Sequence, residues 1–145
     1  MKGEEILDVR VVMKGGNVKF QTPQGEVVMI PFSGTASGRI FHGIVEDCGV
    51  DTQIVNAAGV RHMSARYCLT GTDCAGNPCH IYVENNGYFS GKFHMPFPTV
   101  PTFLTDSEVL APYLHADRFV GEGVSEADGL HIHFYELAPG GETET

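Results

Sequence analysis

The chain has 145 residues, with 9 Lys or Arg against 18 Asp or Glu and a formal net charge of −9. That is the length of one domain, and the acidic balance argues against a nucleic-acid partner, because phosphate binding needs a basic face. The 18 Gly and 8 Pro are spread so evenly that the longest stretches free of both, 4–14 and 60–70, have 11 residues, which excludes a helical bundle and favours an all-β chain.

The first eight residues hold three acids and no apolar run, so no secretory leader is expected. No stretch approaches the ~18 apolar residues of a membrane span. Strands are predicted at 5–13, 17–21, 26–36, 39–46, 50–55, 60–70, 79–84, 88–94, 117–121 and 130–137, at the spacing of a sandwich or barrel. The run Met95–Phe103 carries three prolines in six residues and reads as an extended connection laid over the core. One short helix is predicted over 106–115, capped by Thr105 or Asp106, with Pro112 making it irregular or moving its start. Residues 1–138 thus read as a single β-barrel domain and 139–145 as a disordered acidic tail. Cys48, Cys68, Cys74 and Cys79 are read as free thiols of a cytoplasmic protein.

Two hairpins can be argued from alternation. In 60–70, Met63, Ala65, Tyr67 and Leu69 share one face, and His62, Ser64, Arg66 and Cys68 the other. A four-residue loop Asn56-Ala57-Ala58-Gly59 would pair Val55 with Val60 and set Asp51 opposite Ser64, diagonal to Arg66. The apolar faces then match. A second hairpin is predicted with Asn85-Asn86-Gly87 as a three-residue loop, pairing Glu84 with Tyr88 and keeping Cys79, Ile81 and Val83 on one face.

The segments Thr22-Pro23-Gln24-Gly25, Gly34 to Gly38, Phe41-His42-Gly43-Ile44-Val45 and Gly49-Val50-Asp51 come in that order. Ala65-Arg66-Tyr67, Thr72-Asp73, Ile81-Tyr82-Val83, Phe103-Leu104-Thr105, Tyr113-Leu114, Arg118-Phe119-Val120-Gly121 and Tyr135-Glu136-Leu137 follow. From about Asp8 to Leu137 this order resembles the domain-of-unknown-function family 3237. The resemblance implies a single antiparallel β-barrel of about 8–10 strands with one short helix, similar to lipocalin and allene-oxide-cyclase barrels, and no established activity. It also implies a shared motif at Asp51, Arg66 and Tyr67. The chain departs from the family pattern in lacking Trp, with Thr52 and Leu114 at the tryptophan positions, and in reading Ser33-Gly34 and Gly38-Arg39 where the family has Gly-Gly and Gly-Pro pairs.

The candidate site is the polar strip of Asp51, Gln53, His62, Ser64, Arg66, His80, Tyr82 and Glu84, taken as lining a barrel lumen. Asp51, Arg66 and Glu84 are the catalytic candidates. Arg66 would anchor a carboxylate or enolate oxygen through its planar fork, while Asp51 and Glu84 move protons. His42, Gln53, Tyr67, His80 and Tyr82 are the ligand-binding candidates. This suits isomerase, cyclase or lyase chemistry on a small oxygenated or carboxylate-bearing molecule. The competing reading makes the strip a solvated sheet face and the chain a non-catalytic assembly protein; a homo-oligomer is expected on either reading. A third reading starts from His131-Ile132-His133, which face the same way on a strand as metal ligands can. The pair resembles half of a cupin motif, with the acid one place earlier than that spacing and no second half evident. No metal ligand is assigned, and no cofactor is expected, since neither a phosphate loop nor a dinucleotide fingerprint occurs.

Overall fold

A computed structural model describes residues 2–138; the expected tail at 139–145 lies outside the described residues. Nine strands and one helix follow in the order β1 (Lys2–Met13), β2 (Val18–Thr22), β3 (Gly25–Ser37), β4 (Phe41–Asn56), β5 (Val60–Asp73), β6 (Pro78–Ser90), β7 (Phe97–Thr105), α1 (Ala111–Leu114), β8 (Phe119–Glu126) and β9 (Gly129–Leu137). Every pairing is antiparallel, neighbour to neighbour from β3 to β9. β9 then pairs with β1, and β1 with the second half of β3. That last ladder closes an eight-stranded barrel. β2 extends beyond β1 along the first half of β3. The all-β barrel with one short helix is therefore as expected. Among the described residues no helix is long and apolar enough to cross a membrane.

Several elements depart from the expected boundaries. The strands expected at 39–46 and 50–55 are one strand, β4, interrupted by a bulge between Val45 and Val50 that shifts its register against both neighbours. The hairpin expected at Asn85-Asn86-Gly87 does not form. These residues lie mid-strand in β6, paired with Ala65, Ser64 and Met63. The Asn-Gly pair is a turn signal in isolation, but here a Cβ on Gly87 would sit 2.8 Å from Pro98 O. The glycine therefore serves a close strand approach instead. The proline-rich run is β7, whose Phe97, Thr99, Pro101 and Phe103 all point inward. Pro101 is tolerated because that part of β7 pairs with β6 alone; β8 meets β7 only at 97–99.

The turns that join β4 to β5 and β5 to β6 share one construction. Asn56 Oδ1 accepts from the N–H groups of Ala58 (3.0 Å) and Val60 (3.1 Å), and Gly59 is left-handed at φ 82°. Asp73 Oδ1 accepts from Ala75 (2.9 Å) and Asn77 (3.0 Å), and Gly76 is left-handed at φ 87°. An Asx side chain three residues before a left-handed glycine makes a three-residue loop with a bulge. The β4–β5 loop is thus Ala57-Ala58-Gly59, one residue shorter than expected, so Val55 pairs with Arg61 and Asp51 with Ala65.

The core runs through the barrel axis, with Ile6, Leu7, Val9, Phe41, Leu69, Ile81, Val83 and Phe134 fully buried. Leu110 and Leu114 close the end where β4 starts and β5 finishes. The helix is shorter than expected, and Pro112 stands in its first turn. Ser107 precedes it, accepting from Leu110 N (3.1 Å) and donating to Asp73 Oδ2 (2.7 Å). The Ser107 hydroxyl, with backbone donors from the turn, holds the Asp73 carboxyl below its ordinary value of 3.8. A depressed acid stabilises the fold above its ordinary pKa and loses that contribution as pH falls through the lower folded value. Replacing Ser107 by Ala should cost about 1–2 kcal/mol in neutral denaturant titrations. The gap from wild type should narrow below pH 3.8.

Candidate functional site

Alternation along each strand decides which side chains the barrel encloses. With Asp51 opposite Ala65 and Gln53 opposite Met63, these two polar residues share the inner face with Met63, Ala65 and Tyr67. A cavity of about 220 Å³ lies there, at the end of the barrel away from α1. Val11, Phe32, Phe97 and Ile132 form much of its apolar wall. The segment between β6 and β7 folds over its mouth, with the Phe93 ring tilted against Phe89 (5.3 Å) and Phe97 (5.5 Å), and Met95 beside it in the lining.

Five polar side chains interrupt this wall: Asp51, Gln53, Tyr67, Asn85 and Thr99. Tyr67 (4% exposed), Asn85 (6%) and Thr99 (5%) are buried. Tyr67 Oη, Asn85 Oδ1 and Thr99 Oγ1 have no hydrogen-bond partner among the described residues. An unpaired buried polar atom costs about 1–3 kcal/mol, so three around one cavity mark a place where a polar ligand would be stabilised. Burial raises the Tyr67 hydroxyl well above its ordinary value of 10.0, keeping it a neutral donor.

Asp51 is the one carboxylate among the described lining residues, and no Lys, Arg or His lines the cavity. Its Oδ2 accepts from Gln53 Nε2 at 2.8 Å, and Gln53 Oε1 accepts from Arg61 Nη1 at 2.9 Å. Burial raises the Asp51 pKa above 3.8, opposed by the Gln53 hydrogen bond and the Arg61 charge. The guanidinium of Arg61 stands 5.7 Å from the Phe93 ring centre, so Gln53 links a cation beside the mouth to the acid inside.

The expected strip is split between the two faces of the sheet. Asp51, Gln53 and Tyr67 are brought together inside. Arg66, Glu84, Tyr82, His80 and His42 are on the outer face. The Arg66 side chain is 64% exposed, its Nε 3.4 Å from Ser64 Oγ and 3.9 Å from Glu84 Oε1. An exposed pair at that distance contributes little. Tyr82 donates to Glu84 Oε1 at 3.1 Å on the same outer surface. His80 Nδ1 lies 2.7 Å from Asp106 Oδ2 near the helix end, and exposed His42 pairs with Thr72 in the β4–β5 ladder. The physical reason is the one-residue difference in the β4–β5 loop, which exchanges the faces of one strand relative to the other.

Asn85, Thr99 and Arg61 were missed by sequence reasoning. The first two sat in a supposed loop and a supposed connection. The alternation of Phe97, Thr99, Pro101 and Phe103 against Pro98, Val100, Thr102 and Leu104 was the available signal. All four cysteines are free. Burial pushes the Cys79 thiol up to about 11, which suits a packed side chain rather than a nucleophile.

A family model described as "Protein of unknown function (DUF3237)" matches residues 2–137. A UPF0311 protein of Clostridium acetobutylicum is 40% identical over 99 residues, 57% of this chain and 60% of that protein, so the chain covers less than two thirds of this curated relative. A solved structure of a protein with unknown function from the same organism has TM-score 0.76 at 28% identity, covering 93% of this chain and 98% of that one. A beta-barrel like protein from Acinetobacter baumannii has TM-score 0.75 at 22% identity, covering 93% and 94%.

Asp51→Asn isolates the cost of the buried acid. An acid whose pKa is raised on folding destabilises the fold increasingly as pH rises from its ordinary value of 3.8 through the folded value, and fully above it. The Asn variant, which still accepts from Gln53, should therefore be more stable than wild type at pH 7, with the advantage vanishing below pH 3.8. Thermal unfolding across that range checks it.

Proposed function

The chain belongs to the DUF3237 family of proteins of unknown function, and from that premise we propose that its barrel binds a small, neutral, oxygenated molecule around Asp51 and exchanges a proton with it. The observation that carries this reading is the convergence of three unpaired buried polar residues, Tyr67, Asn85 and Thr99, on a cavity that also holds the raised carboxyl of Asp51. The apolar wall suits a ring or short hydrocarbon frame. The volume, below the usual pocket range of roughly 300–1,000 Å³, limits the ligand to about one or two rings. A carboxylate-bearing ligand is disfavoured, because it would meet Asp51 with no cation lining the cavity.

Tyr67, kept protonated, donates to a ligand carbonyl or hydroxyl oxygen, and Asn85 orients a second oxygen. Asp51 takes a proton from one atom of the ligand and returns it to another. That transfer is redox-neutral and needs no second reactant, as in isomerisation or ring closure. A raised pKa favours this, because burial makes the carboxylate a stronger base and brings its titration nearer to neutral pH.

A second reading has its own observation. Val18, Phe20, Met29 and Ile54 are exposed on the outer face of β2–β4, a surface suited to self-association. Phe20→Glu should convert an oligomer to monomer in light scattering; a wild type already monomeric at high concentration overturns this reading.

The ligand proposal is tested by thermal-shift screening with neutral one- and two-ring ketones and phenols. Tyr67→Phe should weaken binding of the hits about 3- to 10-fold, the worth of one hydrogen bond. Asp51→Asn should bind the hits but leave them unconverted when the mixture is followed by NMR. Arg66→Ala, on the outer face, should match wild type. Hits that bind Tyr67→Phe as tightly as wild type, hits that Asp51→Asn converts as wild type does, or a screen without hits, overturn the assignment.

A further inference from the structure

His131 and His133 alternate on the outer face of β9, between β1 and β8, and belong to none of the machinery around Asp51. They are only 10% and 16% exposed at the side chain. Their rings stack at 5.7 Å with an interplanar angle of 13°. Both Nδ1 atoms turn towards one carboxylate oxygen. Asp8 Oδ1 lies 2.8 Å from His131 Nδ1 and 3.8 Å from His133 Nδ1. Ligand atoms from Asp8, His131 and His133 all lie within 4.8 Å of one another. The opposite nitrogens are held separately, His131 Nε2 by Asp128 Oδ1 at 2.6 Å and His133 Nε2 by Glu126 Oε2 at 2.5 Å. Arg10 Nε fixes Asp128 in turn at 3.2 Å.

We propose that Asp8, His131 and His133 form a binding site for one divalent first-row transition-metal ion on the outside of the barrel, with Glu126 and Asp128 orienting the two imidazoles. Two imidazole nitrogens and a carboxylate oxygen, with no thiolate, are the donor set of Zn²⁺, Mn²⁺, Fe²⁺, Co²⁺ or Ni²⁺. Donors bound at 2.0–2.1 Å to a tetrahedral ion stand about 3.3 Å apart, and the two Asp8 contacts, at 2.8 and 3.8 Å, bracket that spacing. Glu5 Oε2, 3.1 Å from His133 Nδ1, is placed to be the fourth ligand. The arrangement of a carboxylate on the far nitrogen of each imidazole fixes the tautomer and raises the basicity of the donor nitrogen. Charge agrees with the geometry. Glu5, Asp8, Glu126 and Asp128 ring the two imidazoles, so the pocket attracts a cation. Bound there, the ion would tie β1 to β9 and pin the β8–β9 turn through Asp128. Its effect would be to stiffen the barrel wall rather than to act in the cavity.

The test uses the full chain without a polyhistidine tag, stripped with chelator and then titrated with Zn²⁺, Mn²⁺ or Ni²⁺ alone. Calorimetry should give one ion per chain for at least one metal, and the unfolding temperature should rise with metal concentration. His133→Ala should lose stoichiometric binding. Asp128→Asn, on an exposed turn, should weaken it by about 10- to 100-fold while its circular dichroism stays that of wild type. Co²⁺ loading should give a visible absorption band that disappears in Asp8→Asn. No uptake of any of the metals by wild type, or uptake equal in wild type and Asp128→Asn, overturns the site and leaves two imidazolium rings shared among carboxylates. Should His133→Ala fail to fold, the Asp128→Asn and Co²⁺ measurements decide on their own.

Discussion

The offset between β4 and β5 governs what this barrel contains. Side chains alternate across a strand, so sliding one strand by a single residue exchanges its inner and outer sets. The offset is fixed locally, by Asn56 gathering two backbone N–H groups while Gly59 takes the left-handed conformation. That turn sends Asp51 and Gln53 inward beside Tyr67 and leaves Arg66 outside. The same device at Asp73 and Gly76 sets β5 against β6 and brings Asn85 into the wall beside Ala65. Two short polar turns, one at each end of β5, therefore set its chemistry.

Inside, polarity is concentrated. Aromatic packing fills the helix end, where Phe103 meets Phe119 and Phe134 edge-on at 5.6 and 5.4 Å. The other end keeps its polar side chains within a mostly apolar wall, where a lone carboxyl is expensive to ionise. The amide of Gln53 moderates that cost by linking Asp51 to Arg61. The inner acid is thus tuned by a cation beside the opening, through one intervening side chain.

The barrel and most of its strands were legible in the sequence because they rest on alternation, punctuation and length, which are local. Placement of the polar strip was not. Matching the apolar faces of 50–55 and 60–70 is sound where an interior is uniformly apolar. Here the inner face mixes Asp51 and Gln53 with Met63 and Ala65, while the outer face pairs Ile54 with His62 and Val50 with Arg66. Hydrophobic matching then favours the opposite register. Asp51, Gln53 and Tyr67 were recovered as site candidates; Asn85 and Thr99 were hidden by turn and proline signals that tertiary pairing overrode. His131 and His133 were legible as a pair, but their partners Asp8 and Asp128 lie 123 and 3 residues from His131. Only the closed sheet joins them.

Leu110 and Leu114 stopper one end of the barrel, and Phe93 and Met95 overhang the other. A barrel stoppered at one end has a single mouth, so the proposed guest would have to enter and leave past the same two side chains. On that reading the barrel would be a cul-de-sac, not a conduit, and each visit would have to finish before the next began.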